Sequence, residues 1–553
     1  MPATVKLTLA LAFAALTSSA QTPVPITHPT FPTGPTTPLG AQIDALLADP
    51  VAAHDHWGIA VTTLDGTPIY GHDEGEYFRP ASNTKLFTTA AAMALLKPES
   101  TVTTSVWFLK PSADGTSRGG ITLIGAGDAN ISGQAFPYKT PAERRAEGTP
   151  ATATPPADPL QYLDQFAAEV AKAGVRRIQG RVNGSDELWT YEPYPEAWGI
   201  DDMTWGYGAP ISALSIVDNQ LELTVTPGNT PGAQAVVSVV PDVGYYQFSV
   251  QVATVPANTH ADVEIDRAPG SKLVRLYGTV AEGEPYKTEI AIQDPAEFAA
   301  QAFKLKLQQH GIEVTDGARA FHRPLTDTEG FFRESHEPLT LTDHVDPDTE
   351  CGASCPQKLS HTSPTLAEDV KLTLKLSQNL HAELMLQRLG AKFGEPDDIQ
   401  MQSFGEPPVS SKSTTAQGTR VVRQFLLNAG LDGDDFIFFD GSGMSSHDLV
   451  APRATVKLLA YATTQPWFAA WKIGLPIGGE DGTLRSRFPV APLKDHVFAK
   501  TGTLGESRAL SGYVDCASGK QVIFSIMVDD HSPGTAADRI TMDKIVAAIA
   551  AAE

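Results

Sequence analysis

The chain is poor in cysteine and, after its first residues, has no long apolar segment. Only three of its 553 residues are cysteine, and no nearby histidines complete a zinc-type ligand set. A membrane-spanning helix needs about 20 consecutive apolar residues, and no later segment provides them. These absences argue against a disulfide framework, a structural zinc site and an integral membrane segment in the mature protein.

Positive charge is also scarce. The sequence has 41 Lys and Arg residues against 64 Asp and Glu residues, a formal net charge of −23. Proteins that bind nucleic acid use clustered Lys and Arg to neutralise phosphates, so this balance argues against a nucleic-acid partner. It also disfavours adhesion to an anionic membrane surface.

The first residues have the pattern of a secretory signal. Lys6 precedes an apolar run over residues 7–16, and small residues at 18–20 provide a cleavage site. We therefore predict a signal peptide over residues 1–20, followed by an unstructured Pro/Thr-rich linker over 21–40. The mature protein is expected to be exported, in the periplasm or outside the cell.

Three short motifs follow one another along the chain: Ser82-Asn83-Thr84-Lys85, Ser377-Gln378-Asn379 and Lys500-Thr501-Gly502. Taken singly, each has an ordinary explanation: a helix cap with a solvated lysine, a polar helix face, or the end of a strand. Together they supply a nucleophile with its base, a proton shuttle and a cationic strand. This ordered set is the signature of penicillin-binding proteins and class A β-lactamases.

The residues of the first two motifs suit serine acyl transfer. Ser82 precedes an apolar helical run over 84–96, which places Lys85 one turn along on the same face. Lys85 can take the serine proton only if its pKa is lowered, by burial or by a cation such as Lys500. Ser377 can pass a proton to the leaving amine, and Asn379 can hold a substrate carbonyl and orient Lys85.

The third motif suits substrate binding. Lys500, Thr501 and Thr503 can bind a terminal carboxylate, and Gly502 lies between the two threonines. The backbone N–H groups of Thr503 and Ser82 can stabilise a developing oxyanion. The chemistry requires neither a metal nor an organic cofactor, and we predict none.

The length of the chain predicts several domains, and several hundred residues separate Ser82 from Ser377. Two helix–glycine–strand patterns, over 166–180 and 298–317, are interpreted as halves of one α/β domain, although chance similarity between Ala-rich helices is the alternative. Residues 211–294 alternate in polarity and predict strands. One long helix is predicted over 369–389. The predicted α+β organisation has three parts: a catalytic domain (41–97 and 356–553), an inserted α/β domain (98–210 and 295–355) and a nested, mostly β domain (211–294).

The sequence around the motifs resembles the D-Ala-D-Ala carboxypeptidase/endopeptidase family, the class C low-molecular-mass penicillin-binding proteins. The matching segments extend over most of residues 45–530 and include, besides the motifs, Gly125-Ala126-Gly127-Asp128, Tyr207 to Leu214, Asp440 to Ser445 and Asp481 to Leu484. The resemblance implies a serine β-lactamase-like catalytic domain with nested insertions. It also implies peptidoglycan stem peptides as substrates, cleavage after D-alanine, and β-lactams as covalent inhibitors.

The resemblance further points to Asp202 as an acidic residue that reaches the cleft and reads the substrate side chain. Family members often carry a basic residue where this chain has Ser446. A β-lactamase or esterase, and a non-catalytic peptidoglycan-binding protein of the same fold, are the alternative functions. The sequence leaves open the balance between carboxypeptidase and endopeptidase activity, the third residue of the stem peptide, the oligomeric state, and whether Cys351 and Cys355 form a disulfide.

Overall fold

The described part of the chain folds into α-helices and β-strands, and strands from both ends of the chain form one antiparallel sheet. The structure, a computed structural model, describes residues 28–148, 158–326, 330–344, 357–396, 411–532 and 534–553. Its helices are α1 (Pro38–Leu47), α2 (Thr84–Leu95), α3 (Pro141–Ala146), α4 (Gln161–Lys172), α5 (Pro295–Gln309), α6 (Phe331–His336), α7 (Leu366–Leu376), α8 (Asn379–Phe393), α9 (Thr414–Asn428), α10 (Pro452–Thr463), α11 (Phe468–Lys472) and α12 (Ala537–Ala552). Its strands are β1 (His56–Thr63), β2 (Pro68–His72), β3 (Thr103–Phe108), β4 (Thr116–Arg118), β5 (Ile121–Ile124), β6 (Arg177–Gln179), β7 (Val182–Thr190), β8 (Gln220–Thr226), β9 (Val236–Val240), β10 (Gln247–Val255), β11 (Val263–Asp266), β12 (Leu273–Ala281), β13 (Tyr286–Ala291), β14 (Glu313–Val314), β15 (Ala318–Arg323), β16 (Gln357–Thr362), β17 (Phe436–Ile437), β18 (Leu449–Val450), β19 (Val497–Leu504), β20 (Ser507–Asp515) and β21 (Gln521–Asp529).

The sheet that carries the third motif has the order β19-β20-β21-β1-β2. Strands β1 and β2 form a hairpin, and β1 pairs with β21, Ile59 opposite Ile526. Residues 57–62 of β1 are buried without alternation. A strand that is buried on both sides indicates that both faces of the sheet are covered.

Helices cover the two faces of this sheet. Ala60 and Tyr513 belong to the apolar cluster that includes α2, α8, α9 and α10. Their strand neighbours Ile59 and Val514 belong to the opposite cluster, with α1 and α12. The predicted helix after Ser82 is confirmed as α2, and ten of its twelve residues are buried, as expected for a helix inside a layered domain. The result is a helix–sheet–helix arrangement with Ser82 at the start of a buried helix.

The segment between α2 and α7 forms separate sheets. A five-stranded sheet has the order β15-β7-β5-β3-β16, and a three-stranded sheet has the order β14-β6-β4. The two helix–strand patterns noted in the sequence are α4 with β6 and α5 with β14, and the two strands pair in parallel. Strands β8 to β13 form two further three-stranded sheets. The domain boundaries stay a prediction; β16, which the predicted boundary assigns to the catalytic segment, pairs with β3.

The prediction of one helix over 369–389 is wrong. The chain forms α7 and α8, with a break at Ser377, whose φ of 61° is left-handed. The apolar periodicity continues through the break, so sequence patterns do not reveal it. The Ser377 hydroxyl is held by Lys500, which comes from a distant part of the chain.

The predicted unstructured linker is wrong for residues 28–40. Phe31 and Leu39 are buried, the Pro32 carbonyl accepts a hydrogen bond from Gly71, and α1 begins at Pro38. Two apolar side chains therefore anchor a segment that its Pro/Thr composition had suggested to be free. Cys516 is buried and unpaired after β20. The predicted signal peptide, residues 21–27 of the linker, Cys351 and Cys355 lie outside the described residues.

Among the described residues, no helix has the length and apolar character needed to cross a bilayer.

Close packing of α8 on α9 depends on Gly418. A Cβ atom there would lie 2.5 Å from the Leu386 carbonyl oxygen. Although alanine favours a helix by about 1 kcal/mol over glycine, overpacking costs about 1–3 kcal/mol. We expect Gly418→Ala to lower the free energy of unfolding, measured by urea denaturation. Gly317→Ala, at a site with open space, is the control. Equal stability of the two variants would contradict this packing argument.

Candidate active site

Ser82 lies in a tight turn that two glycines allow to form. The turn spans Ala81–Asn83 and leads directly into α2, and Ala81 has a φ of 45°. A Cβ at Gly443 would lie 1.8 Å from the Ala81 carbonyl oxygen, and one at Gly502 would lie 2.6 Å from that of Pro80. Only glycine fits where the backbone comes this close, so the turn is held between the loop over residues 440–445 and β19.

Lys85 joins three distant parts of the chain. Its Nζ atom lies 2.8 Å from Ser82 Oγ, 2.6 Å from Asn379 Oδ1 and 2.7 Å from the Ser442 carbonyl oxygen. Its side chain is fully buried, whereas Ser82 is partly exposed. The contacts place the amine beside a hydroxyl that solvent or a ligand can reach.

Burial lowers the pKa of Lys85 to about 7. The carboxyl groups of Asp440, Glu383 and Asp448 act in the opposite direction and favour the charged amine. Burial dominates because a charged group loses its hydration when it leaves water. Near neutral pH, a large fraction of Lys85 is therefore a neutral amine with a free lone pair.

Lys500 contacts the second motif. Its Nζ atom donates to Ser377 Oγ at 2.8 Å and to the Thr501 carbonyl oxygen at 2.7 Å. Burial, and secondarily the charge of Lys85, place the pKa of Lys500 well below its usual value. The charge of one lysine therefore lowers the pKa of the other at Lys500. At Lys85, the lowering of the pKa comes from burial.

The break between α7 and α8 turns both residues of the second motif toward the lysines. Ser377 in the left-handed conformation reaches Lys500, and Asn379, at the first position of α8, reaches Lys85. The Asn379 amide also donates to the Tyr207 carbonyl oxygen at 2.8 Å. The structure therefore brings Ser82, Lys85, Ser377, Asn379 and Lys500 into one connected set.

A buried carboxylate organises the loop behind Lys85. Asp440 accepts hydrogen bonds from the backbone N–H groups of Ser442, Gly443 and Ser445, and from the indole of Trp198 at 2.9 Å. These contacts hold the Ser442 carbonyl where Lys85 meets it. The Asp-Gly-Ser-Gly segment is a recognisable sequence signal, but the role of Asp440 is not predicted from the sequence.

Two more buried acids surround the same loop. Glu383 accepts from the Gly441 N–H, and Asp448 accepts from Thr84 and from the Phe439 N–H. Burial and the neighbouring Asp440 raise the pKa of both Glu383 and Asp448. No role is predicted from the sequence for either residue, because each depends on contacts with a distant segment of the chain.

Asp202 is connected to this set through Tyr207. The Tyr207 hydroxyl donates to Asp202 Oδ1 at 2.7 Å, while its carbonyl meets Asn379. Burial raises the pKa of Asp202. Ser446 donates its N–H to the Ala197 carbonyl at 3.3 Å.

Thr501, Gly502 and Thr503 lie on β19, at the edge of the catalytic sheet. Gly502 faces the Ser82 turn, and the two threonines face the opposite way. The Thr501 hydroxyl donates to Thr483 Oγ1 at 2.7 Å. A cavity of about 270 Å³ lies beside Ser377 and Asn379 and is also lined by Trp205 and Tyr207.

Two groups of side chains in the described residues have the geometry to hold a metal ion: His28 with Asp432 and Asp435, and His56 with Asp73 and Glu76. Neither contains a predicted site residue. Asp435 also forms an ion pair with Arg453.

The sequence matches the D-Ala-D-Ala carboxypeptidase 3 (S13) family over residues 39–340 and 335–551. The chain belongs to this family. The S13 family assignment confirms the family and the activity class predicted from the motifs, a serine-type D-Ala-D-Ala carboxypeptidase.

Two named relatives are similar to this S13 protein in sequence. A D-alanyl-D-alanine carboxypeptidase from Actinomadura sp. (strain R39) is 29% identical over 512 residues, which are 90% of this chain and 82% of the relative. The D-alanyl-D-alanine carboxypeptidase DacB of Haemophilus influenzae is 23% identical over 377 residues, 67% of this chain and 69% of the relative.

A solved structure confirms the fold. Penicillin binding protein 4 of Haemophilus influenzae superposes with a TM-score of 0.69 at 20% identity, covering 91% of this chain and 97% of that one. A second structure of that protein, in complex with a β-lactam, gives a TM-score of 0.63 at 19% identity, over 91% and 97%. The predicted α+β, penicillin-binding-protein-like fold is therefore confirmed.

The role of Asp440 can be tested by its removal. Asp440→Ala leaves three backbone N–H groups and one indole N–H without an acceptor, and each buried unsatisfied donor costs about 1–3 kcal/mol. We expect the free energy of unfolding to fall by about 3 kcal/mol or more, measured by urea denaturation. Asp316→Ala, at an exposed site, is the control. A loss no larger than that of the control would show that the loop does not need this carboxylate.

Proposed function

We propose that this S13 family member is a penicillin-binding serine DD-peptidase that acts through an acyl-enzyme on Ser82. The observation that carries the proposal is the set of three contacts of the Lys85 amine. A neutral amine has two N–H donors and one lone pair. Asn379 Oδ1 and the Ser442 carbonyl can only accept, so they take both donors, and the lone pair is left for the hydroxyl proton of Ser82.

In the proposed first step, Ser82 Oγ attacks the carbonyl of the penultimate D-alanine as Lys85 takes its proton. The negative charge that develops on the carbonyl oxygen is stabilised by the backbone N–H groups of Ser82 and Thr503. The close approach of β19 to the turn supports this pairing, since a Cβ at Gly502 would lie 3.2 Å from the Ser82 nitrogen.

The leaving amine must then gain a proton as the C–N bond breaks. Ser377 is placed to donate it, and Lys500 is placed to resupply Ser377 because their side chains lie 2.8 Å apart. A water molecule then attacks the ester and gives a proton to Lys500 through Ser377, while Lys85 returns its proton to Ser82 Oγ, so the shortened peptide is released and both lysines regain their starting states. Ser377 and Lys500 thus act on the leaving-group side, and Lys85 acts on the nucleophile.

Substrate recognition is assigned to three groups. The hydroxyls of Thr501 and Thr503, with the positive potential of Lys500, bind the carboxylate next to the scissile amide. Asn379 holds the donor peptide carbonyl. Asp202, which the Tyr207 contact connects to Asn379, faces the donor side chain.

The substrates follow from the family and the named relatives. D-Ala-D-Ala carboxypeptidases act on peptidoglycan stem peptides, and a structural relative of this chain binds a β-lactam. We infer that this protein trims terminal D-alanine or opens D-alanine cross-links, and that β-lactams acylate it. Such substrates and the predicted signal peptide support export to the periplasm, or outside the cell.

The acyl-enzyme can be detected by intact-mass measurement after exposure to benzylpenicillin. We expect one long-lived adduct on the wild type, none on Ser82→Ala, and an unchanged adduct on Ser518→Ala, the control in the β20–β21 turn. No adduct with rapid loss of the drug would favour a β-lactamase. No adduct and no loss of drug would favour a non-catalytic binding protein.

The pKa of Lys85 gives a pH dependence. Below its pKa of about 7 the ammonium has no lone pair, so acylation is suppressed and recovers as the pH rises. We expect the second-order rate constant for benzylpenicillin acylation to rise about tenfold from pH 6 to pH 8. The melting temperature at each pH serves as the control. A rate constant that still rises as steeply above pH 9 would contradict the lowered pKa.

A further inference from the structure

A cavity of about 260 Å³ lies along β19, beside the residues that follow Lys500. Its lining includes the two threonines of the third motif together with three arginines. We call it the arginine pocket and define it by Thr501, Thr503, Arg487, Arg508 and Arg539. A single water occupies about 30 Å³, so the pocket has room for much more than one carboxylate group.

The three arginines come from separate parts of the chain. Arg487 lies in the loop before β19, Arg508 lies on β20 opposite Thr503, and Arg539 lies in the first turns of α12. Their convergence is unusual in a chain with a net charge of −23. Clustered guanidinium groups next to hydroxyl donors form a site for a carboxylate or another oxyanion.

Two of the three guanidinium groups are held in place by aspartates. Arg487 donates to Asp543 through Nε at 3.0 Å and Nη2 at 2.5 Å, and Arg508 forms an ion pair with Asp538. Arg539 is exposed and has no hydrogen bond or ion pair with any residue that the structure describes. The pocket therefore keeps one full positive charge available to a ligand.

We propose that the arginine pocket binds a second carboxylate of the leaving group, one that lies beyond the carboxylate next to the scissile amide. This inference rests on the proposed function and deepens it by naming a substrate class. A terminal D-alanine has one carboxylate, which the hydroxyls of Thr501 and Thr503 satisfy. In a cross-link through diaminopimelate, the leaving peptide has that carboxylate and further carboxylates along its stem, so the proposal is specific to this type of cross-link. The pocket therefore favours cross-linked substrates, and so endopeptidase activity.

Binding to a Ser82→Ala background tests this directly. The probes are a cross-linked dimeric muropeptide and an uncross-linked pentapeptide that ends in D-Ala-D-Ala, each titrated by calorimetry. We expect Arg539→Ala to weaken binding of the dimer about tenfold more than binding of the pentapeptide, and Arg539→Glu to widen this ratio. Lys544→Ala removes an equal charge from the exposed side of the same helix, outside the pocket, and should leave both affinities unchanged.

An equal loss for both probes would overturn the proposal, because the pocket would then serve the first carboxylate only. An unchanged ratio in both Arg539 variants would also overturn it. Benzylpenicillin acylation of the wild type is followed in parallel. Absence of acylation would contradict the proposed acyl-enzyme on Ser82. The ratio of the two affinities tests only the proposed role of the arginine pocket.

Discussion

The burial of the Lys85 amine is the constraint on which the site depends. A fully buried ammonium is costly, and the pKa of Lys85 falls to about 7 for that reason. Its three partners, at Ser82, Asn379 and Ser442, come from three segments that only the complete fold brings together. The Ser377 break, the Asp440 loop and the glycines around the Ser82 turn all act to keep those partners in place.

The carboxyl groups around Lys85 favour its charged form, whereas burial favours its neutral form. Fully ionised acids would stabilise the ammonium and suppress its use as a base. Burial raises the pKa of Glu383 and Asp448, which reduces their negative charge. Backbone N–H groups and the Trp198 indole surround Asp440 and compensate for its burial. Trp198 comes from the segment between β7 and β8, so this distant segment helps to support the loop that carries Asp440 and Ser442.

The sequence predicted the parts of this structure that local patterns encode. The apolar run over residues 84–96 predicted α2, and the three motifs singled out Ser82, Lys85, Ser377, Asn379 and Lys500. The same periodicity concealed the break at Ser377, because the apolar face continues from α7 into α8 and a distant lysine holds the serine. Likewise, local patterns do not predict the roles of Glu383, Asp448 or the three arginines. These roles depend on contacts that only the fold creates, such as those of Glu383 with Gly441 and of Arg487 with Asp543. Phe31 is buried in a segment whose Pro/Thr-rich composition suggested an unstructured linker. Its burial cannot be predicted from composition.

The topology of the main sheet has a consequence for biogenesis. Strand β1 pairs with β21, so the N-terminal hairpin cannot enter its sheet before residues near the C-terminus have been synthesised. Pairing across so long a chain separation is slow, because the loop entropy must be lost before contacts compensate for it. Ser82 and Lys85 therefore gain their environment late in folding. This order keeps the reactive serine without its catalytic partners until most of the chain has been synthesised.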